Sequence, residues 1–279
     1  MATTATLTAA TEAYTVQAEI AAAAVAAVRR LRNPTAVQIA QLIVAYQLLA
    51  AQQGVSAVPT VLAQQGLSSA ASATVAAQAL AGLTSAGYPL STMFDTITSP
   101  AQLAMLVASA VQDAGRNGAS VRMAVTPSVT GYVRMLNPPS CSRCVVLAGK
   151  FYRWNEGFER HPMCDCRHIP STENLAGDLT TDPMAYFESL TPAEQDATFG
   201  AAGAQAIRDG ADMGRVVNAR RNGGVRKAQL FGKSAFTTTV GTGRSGRRGP
   251  RIMPETIYAI AGEDRAEAIR LLRVHGFIF

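Results

Sequence analysis

Residues 141–168 read CSRCVVLAGKFYRWNEGFERHPMCDCRH, and they hold all four cysteines of a 279-residue chain. Small secreted scaffolds spread their cysteines to staple distant loops. Clustering in one segment of a reducing compartment reads as metal ligation first and disulfides second. Cys141-x-x-Cys144 is a knuckle: two thiolates on a tight turn can reach one ion. After the spacer 145–160 come His161, Cys164, Cys166 and His168. A CxxC pair, a spacer of about 15–20 residues and a second Cys/His pair form the structural zinc pattern. Six side chains compete for four positions. Cys141 and Cys144 lead, and Cys166 with either His161 or Cys164 would complete a tetrahedron. The closed set predicts a structural Zn2+, with a catalytic ion and two disulfides or free thiols as the rivals. Three or four thiolates leave a net negative site that Arg143, Lys150, Arg160 and Arg167 could offset. The spacer predicts a short hairpin. Its Phe151, Tyr152, Trp154 and Phe158 read as the small core of a zinc module, with a base-stacking platform as the alternative.

Upstream the chain changes character. Residues 5–117 are rich in Ala, Gln, Ser and Thr, and from Asn33 to Gly115 there is no Lys or Arg. Residues 6–32 predict an Ala-rich helix ending in Arg29, Arg30 and Arg32, which suit the negative end of a helix dipole. Asn33-Pro34 predicts an N-cap and first helical position, with Gly54 as the stop. Val58-Pro59 predicts a short helix closed by Gly66, and Ser69 to Ala86 another before Gly87. Ser99-Pro100 opens a helix that ends near Asn117-Gly118. Val121, Met123 and Val125 alternate as in a strand.

Downstream, Thr191-Pro192-Ala193-Glu194 is a capping box with Pro at the first helical position. It predicts a helix ended by Gly210. Phe236 to Val240 is β-like, and a helix pair spans Pro254 to Ala261 and Glu263 to His275, closed by Gly276. The expected fold is mainly α (α+β overall). It divides into an Ala-rich helical N-terminal domain (1–119), a zinc-binding module (120–170) and a C-terminal helical region (171–279) with a basic loop (215–251).

Charge is sparse, with 16 % charged residues, 48 % hydrophobic and a net charge of +6. An average soluble chain carries about 25 % charged residues, and so few here suggest surface covered in an assembly. Residues 171–200 carry six acids and no Lys or Arg, whereas 215–251 carry ten Lys or Arg and no acid. Arg220, Arg221, Arg244, Arg247, Arg248 and Arg251 are the candidate contacts to nucleic acid or a partner protein. The rival reading is a solvated face. The N-terminus lacks a basic n-region and an apolar core, so no secretory signal is expected. No apolar run reaches about 18 residues, so no membrane partner is expected.

Enzyme patterns find little purchase. Neither G-x-S-x-G nor H-E-x-x-H occurs, and two of the three histidines sit among the cysteines. Gly241-x-Gly243-x-x-Gly246 formally matches a dinucleotide fingerprint, but Arg247-Arg248-Gly249-Pro250 stops a following helix, so it reads as a basic loop.

Asn137-Pro138-Pro139, the C-x-x-C, the aromatic spacer and the H-P-x-C-x-C closely resemble the phage Mu F-like minor head proteins, most of all the form in actinobacterial tailed phages. The stretch TPAEQDATFGAAGAQAIRDGADMGRVVNARR is also similar to that group, and the resemblance spans roughly 120–275. It places the family's cysteine and histidine positions on Cys141, Cys144, His161, Cys164 and Cys166. It implies a structural minor capsid protein near the portal or inner capsid, within the virion and, during assembly, in the host cytoplasm. The implied partners are the portal protein, the major capsid protein and packaged double-stranded DNA, whose packaging or ejection the protein would assist. Some members of the family are labelled capsid maturation proteases, which makes proteolysis the alternative function; non-specific DNA binding in the virion is the second.

Overall fold

Three long helices dominate the first half: α1 (Thr4–Arg30), α2 (Ala36–Ala63) and, after a short α3 (Ser91–Phe94), α4 (Pro100–Ala124). A computed structural model describes residues 4–84, 87–94, 97–155, 166–172, 182–230, 233–240 and 250–279. The chain divides into two compact units: Met1–Asn137 with Gly149–Thr180, and Pro138–Ala148 with Thr181–Phe279. The segment 120–170 therefore contributes to both units.

In the first unit, Ala21, Ala24 and Val28 of α1 pack with Ile39, Ile43 and Ala50 of α2 and Val107, Ala110 and Val111 of α4. Small side chains let these helices approach closely. Gln47, 1 % exposed, donates to the carbonyls of Leu83 and Ala110 and accepts from the Gly82 amide, so a buried amide has its polar atoms paired. A three-stranded antiparallel sheet follows, with β1 (Gly131–Met135) between β2 (Phe151–Arg153) and β3 (Arg167–Ser171). Register sets Tyr132 opposite Tyr152 and Pro170, and Arg134 opposite His168. Val133 and Ile169 pack with Ala9, Ala10 and Val61.

The second unit begins with α5 (Ser142–Val146) and continues with α6 (Pro183–Ser189), α7 (Pro192–Phe199), α8 (Ala201–Arg208) and α9 (Met213–Asn218). A sheet in the order β4 (Val225–Leu230), β5 (Lys233–Thr238), β6 (Arg251–Ile252) precedes α10 (Pro254–Ala261) and α11 (Arg265–Val274). Met253, Ile257, Leu272 and Phe277 are fully buried there. The Phe187 and Phe199 rings meet edge-on at 5.3 Å.

The α+β character, mainly helical with small antiparallel sheets, is as expected. Caps written in the sequence form as read: Ser99 accepts from the Gln102 amide, and Thr191 with Glu194 closes a capping box. Other boundaries differ. The N-cap of α2 is Thr35, boxed with Gln38, rather than Asn33. Gly54 and Pro59 lie inside α2, which runs through both, because burial of Val58, Val61 and Leu62 outweighs local propensity. The expected helix over Ser69 to Ala86 is, among its described residues, only a 3-10 turn at Ala77–Leu80. Ser72 instead hydrogen-bonds the Val125 carbonyl through both its amide and its hydroxyl, a competition with helix typical of serine. The expected strand over Val121 to Val125 falls largely within α4; three alternating positions are too few to fix a period. The helix expected to run to Gly210 breaks at Gly200 (φ 76), between α7 and α8. Among the described residues no helix is long and apolar enough to cross a membrane.

Candidate metal centre

Cys141 is the N-cap of α5, with φ −72 and ψ 157, and Cys144 sits one helical turn on. The two thiols therefore face each other, with sulfurs 3.3 Å apart and no disulfide between them. Cys144 is buried and Cys141 half-buried. The turn is held in the second unit: the Ser140 amide donates to the Tyr186 hydroxyl at 3.4 Å, and the Val145 amide to the Cys141 carbonyl at 3.1 Å. Zinc–sulfur bonds of about 2.3 Å at a tetrahedral angle put two sulfurs about 3.8 Å apart. The pair thus needs to open by only about half an ångström to hold a metal, and in that respect it fits a zinc knuckle.

Cys166, 2 % exposed, precedes β3 in the first unit. Nη2 of Arg134 donates to its sulfur at 2.6 Å. Arg134 is itself 2 % exposed, and its guanidinium also donates to the Tyr152 hydroxyl. Burial raises that hydroxyl above the ordinary phenol range, and the charge of Cys166 adds to the rise; the charge and hydrogen bond of Arg134 pull it back down. His168 stacks on Tyr132 with ring centroids 4.2 Å apart, and Tyr132 stacks on Tyr152 at 5.5 Å. Arg167 lies over the Tyr14 ring, donates to the Ala10 carbonyl at 2.8 Å and reaches the Asn137 side chain. Cys166, Arg167 and His168 also line a cleft of about 90 Å³, with Tyr14, Gln17 and Gln53 on its other wall.

His161 and Cys164 fall outside the described residues, as does the end of the expected hairpin spacer, 156–160. Among the described residues no three His, Cys, Asp or Glu side chains gather as a metal-holding group. Phe151 packs against the Val133–Ile169 core and Tyr152 against Tyr132, while Trp154 is 56 % exposed.

The candidate contact arginines separate. Arg244, Arg247 and Arg248 lie outside the described residues, with the Gly241–Gly246 fingerprint. Arg221 is exposed, whereas Arg220 is half-buried and pairs with Glu255. Arg251 is only 6 % exposed. It donates to the carbonyls of His275 at 2.7 Å, Gly276 at 3.2 Å and Val240 at 3.3 Å, and lies over the Phe277 ring. These contacts take Arg251 out of the expected surface set: it gathers the chain end instead.

Arg134 is a residue that sequence pattern alone does not single out. Its one signal is a lone cation within the apolar run Val133 to Leu136. Compared with known proteins, the chain matches no family model, no curated protein and no solved structure.

Proposed function

We propose that the chain is a structural minor head protein of a tailed bacteriophage, bound near the portal or the inner capsid, in which a zinc ion fastens the segment 141–166. The observation that supports this reading is the closeness of the Cys141 and Cys144 sulfurs, 3.3 Å apart, a spacing from which two thiolates could take up half of a tetrahedral site. His161, Cys164 and Cys166 are the candidates for the other half. When bound, the ion supplies no chemistry beyond cross-linking, because four protein ligands leave no open position for substrate. The chain's own residues orient the thiols: α5 brings Cys141 and Cys144 together, and the Ser140–Tyr186 bond holds the turn that presents them.

The resemblance of the flanking motifs to minor head proteins supplies the biological setting, and the low charge of the first 120 residues agrees with surface covered in a particle. Two of the three imidazoles have structural contacts, His168 on Tyr132 and His275 accepting from the Ile252 amide at 3.2 Å. That favours a building part over a protease. The test is to mix the purified chain with the portal protein and the uncleaved major capsid protein. Co-elution with either, and an uncleaved precursor, are expected. Cleavage abolished by one Ser or Cys substitution would replace this reading with the maturation protease, and salt-sensitive DNA binding without protein co-elution would replace it with the DNA-binding one.

A further inference from the structure

In the second unit β4 is the edge strand of its sheet, with β5 as its one strand neighbour, and its six residues pair with β5 without a bulge. Successive side chains of a strand point to opposite faces. The register therefore gathers Lys227, Gln229, Ser234 and Phe236 on one face, with Lys227 directly across from Phe236 and Gln229 across from Ser234. Side chains so opposed stand about 5 Å apart. All four are exposed, Phe236 to 39 %. Arg226, also exposed, lies on the same edge strand. Among the described residues neither Arg226 nor Lys227 has an ion-pair or hydrogen-bond partner. The segment 215–251 carries ten Lys or Arg and no acid, and Glu255 just beyond it is engaged by Arg220.

An open aromatic ring beside unpaired cations suits single-stranded nucleic acid: a base stacks on the ring, the phosphates meet the cations, and neither contact reads sequence. We propose that this face of the β4–β5 sheet binds single-stranded nucleic acid, with Phe236 stacking an unpaired base, Lys227 and Arg226 on the phosphates, and Gln229 and Ser234 hydrogen-bonding sugar or base. A duplex keeps its bases stacked on one another and offers the ring no free face. An acidic protein segment matches the charge but supplies no flat partner for the ring. Phe236 therefore favours the single strand over both. The inference goes beyond the minor head reading: it needs neither the zinc ion nor a capsid partner, and it assigns the contact to residues outside the arginine-rich stretch 244–248.

The experiment follows the fluorescence anisotropy of labelled oligothymidine as the full chain is added, between about 50 and about 200 mM salt. A DNA duplex of the same length and polyglutamate serve as competitors. We expect affinity for oligothymidine to fall with salt and to exceed that for the duplex throughout. Lys227→Gln and Arg226→Gln should each reduce the slope of log affinity against log salt by about 0.7, the share of one single-strand phosphate contact. Phe236→Leu should weaken binding about 5–150-fold with the slope unchanged, and Phe236→Tyr, which keeps a ring, should bind as the wild type does. Arg30→Gln, which removes an exposed charge from the first unit, should change neither affinity nor slope. A wild type that does not bind oligothymidine overturns the proposal. So does binding that Lys227→Gln and Phe236→Leu leave unaltered, which would move the contact elsewhere on the chain. Tighter binding of the duplex, or equal competition by polyglutamate, overturns it in favour of a duplex or an acidic protein. If Phe236→Leu does not fold by far-UV circular dichroism, the slopes of the Lys227 and Arg226 variants and the duplex comparison decide by the same criteria. None of these results bears on co-elution with capsid proteins, so the two readings fail separately.

Discussion

A Cβ placed on Gly54 would lie 2.0 Å from the carbonyl oxygen of Gly115. These two glycines lie where α2 and α4 approach closely, and the carbonyl, being backbone, cannot turn away. One turn on, a Cβ on Gly118 would lie 2.3 Å from the Ala51 carbonyl. The crossing is thus built on absent side chains. Gly54→Ala should push the helices apart and destabilise the first unit by about 2–3 kcal/mol, as overpacking of a tight interior does. Gly115→Ala should cost less, because its new methyl meets the Gln17 side chain rather than backbone. Urea unfolding followed by far-UV circular dichroism measures both; equal costs would show that the crossing is less constrained than the geometry indicates.

Asp209 organises the second unit. Its side chain is 2 % exposed and accepts from Tyr258 at 2.7 Å, Arg265 at 2.8 Å and Gln205 at 3.2 Å. Burial alone would raise its pKa, but the hydrogen bonds from Tyr258, Gln205 and Arg265, with the charge of Arg265, hold it below the usual carboxylate value. A depressed folded value contributes stability above the unfolded pKa and loses it as pH falls through the folded one. The loss should therefore set in on the acid side, below about pH 4. Asp209→Asn should cost about 2–3 kcal/mol at pH 7 by leaving buried donors poorly matched. The gap to wild type should narrow at pH 3, as read from urea midpoints at the two pH values. A gap independent of pH would show that the carboxylate charge contributes nothing.

Tyr258 titrates in the opposite sense. Burial first, then the hydrogen bond and charge of Asp209, raise its hydroxyl far above the ordinary phenol range. Its contribution is complete below the unfolded value and is lost only in strong alkali, above about pH 10. Tyr258→Phe should cost about 1–2 kcal/mol at neutral pH. Spectrophotometric titration should find one tyrosine fewer ionising late in the variant than in the wild type.

Arg251→Ala should lower stability by about 2–3 kcal/mol, since it strips hydrogen bonds from the carbonyls of Val240, His275 and Gly276. Arg221→Ala, an exposed change, should stay within about 0.5 kcal/mol. Thermal unfolding separates them. Equal midpoints would mean that Arg251 does not tie down the chain end.

Local chemistry made part of this structure readable. Ser99 before Pro100, Thr191 with Glu194, and Gly276 after the last helix carry their signal within a few residues, and each forms as read. The closeness of the Cys141 and Cys144 thiols also follows from local spacing, because an N-cap and the third helical residue share one face. What stayed hidden depends on distant partners. Gly54 looks like a helix stop until α4 is laid against it. Arg251 looks like one more cation of a basic loop until the carbonyls of Val240, His275 and Gly276 appear around it. Arg134 offers nothing in sequence beyond a charge in an apolar strand; its hydrogen bond to Cys166, 32 positions away, appears only in the folded chain.

A bound zinc ion is the central expectation for this chain. Elemental analysis of the purified, reduced chain after exhaustive dialysis against trace zinc tests it most directly. One zinc per chain is expected, lost in Cys141→Ser and in Cys144→Ser, with the far-UV spectrum of the second unit's helices retained in the wild type. A wild-type chain that is folded, carries all four thiols in reduced form and holds no zinc would contradict the account.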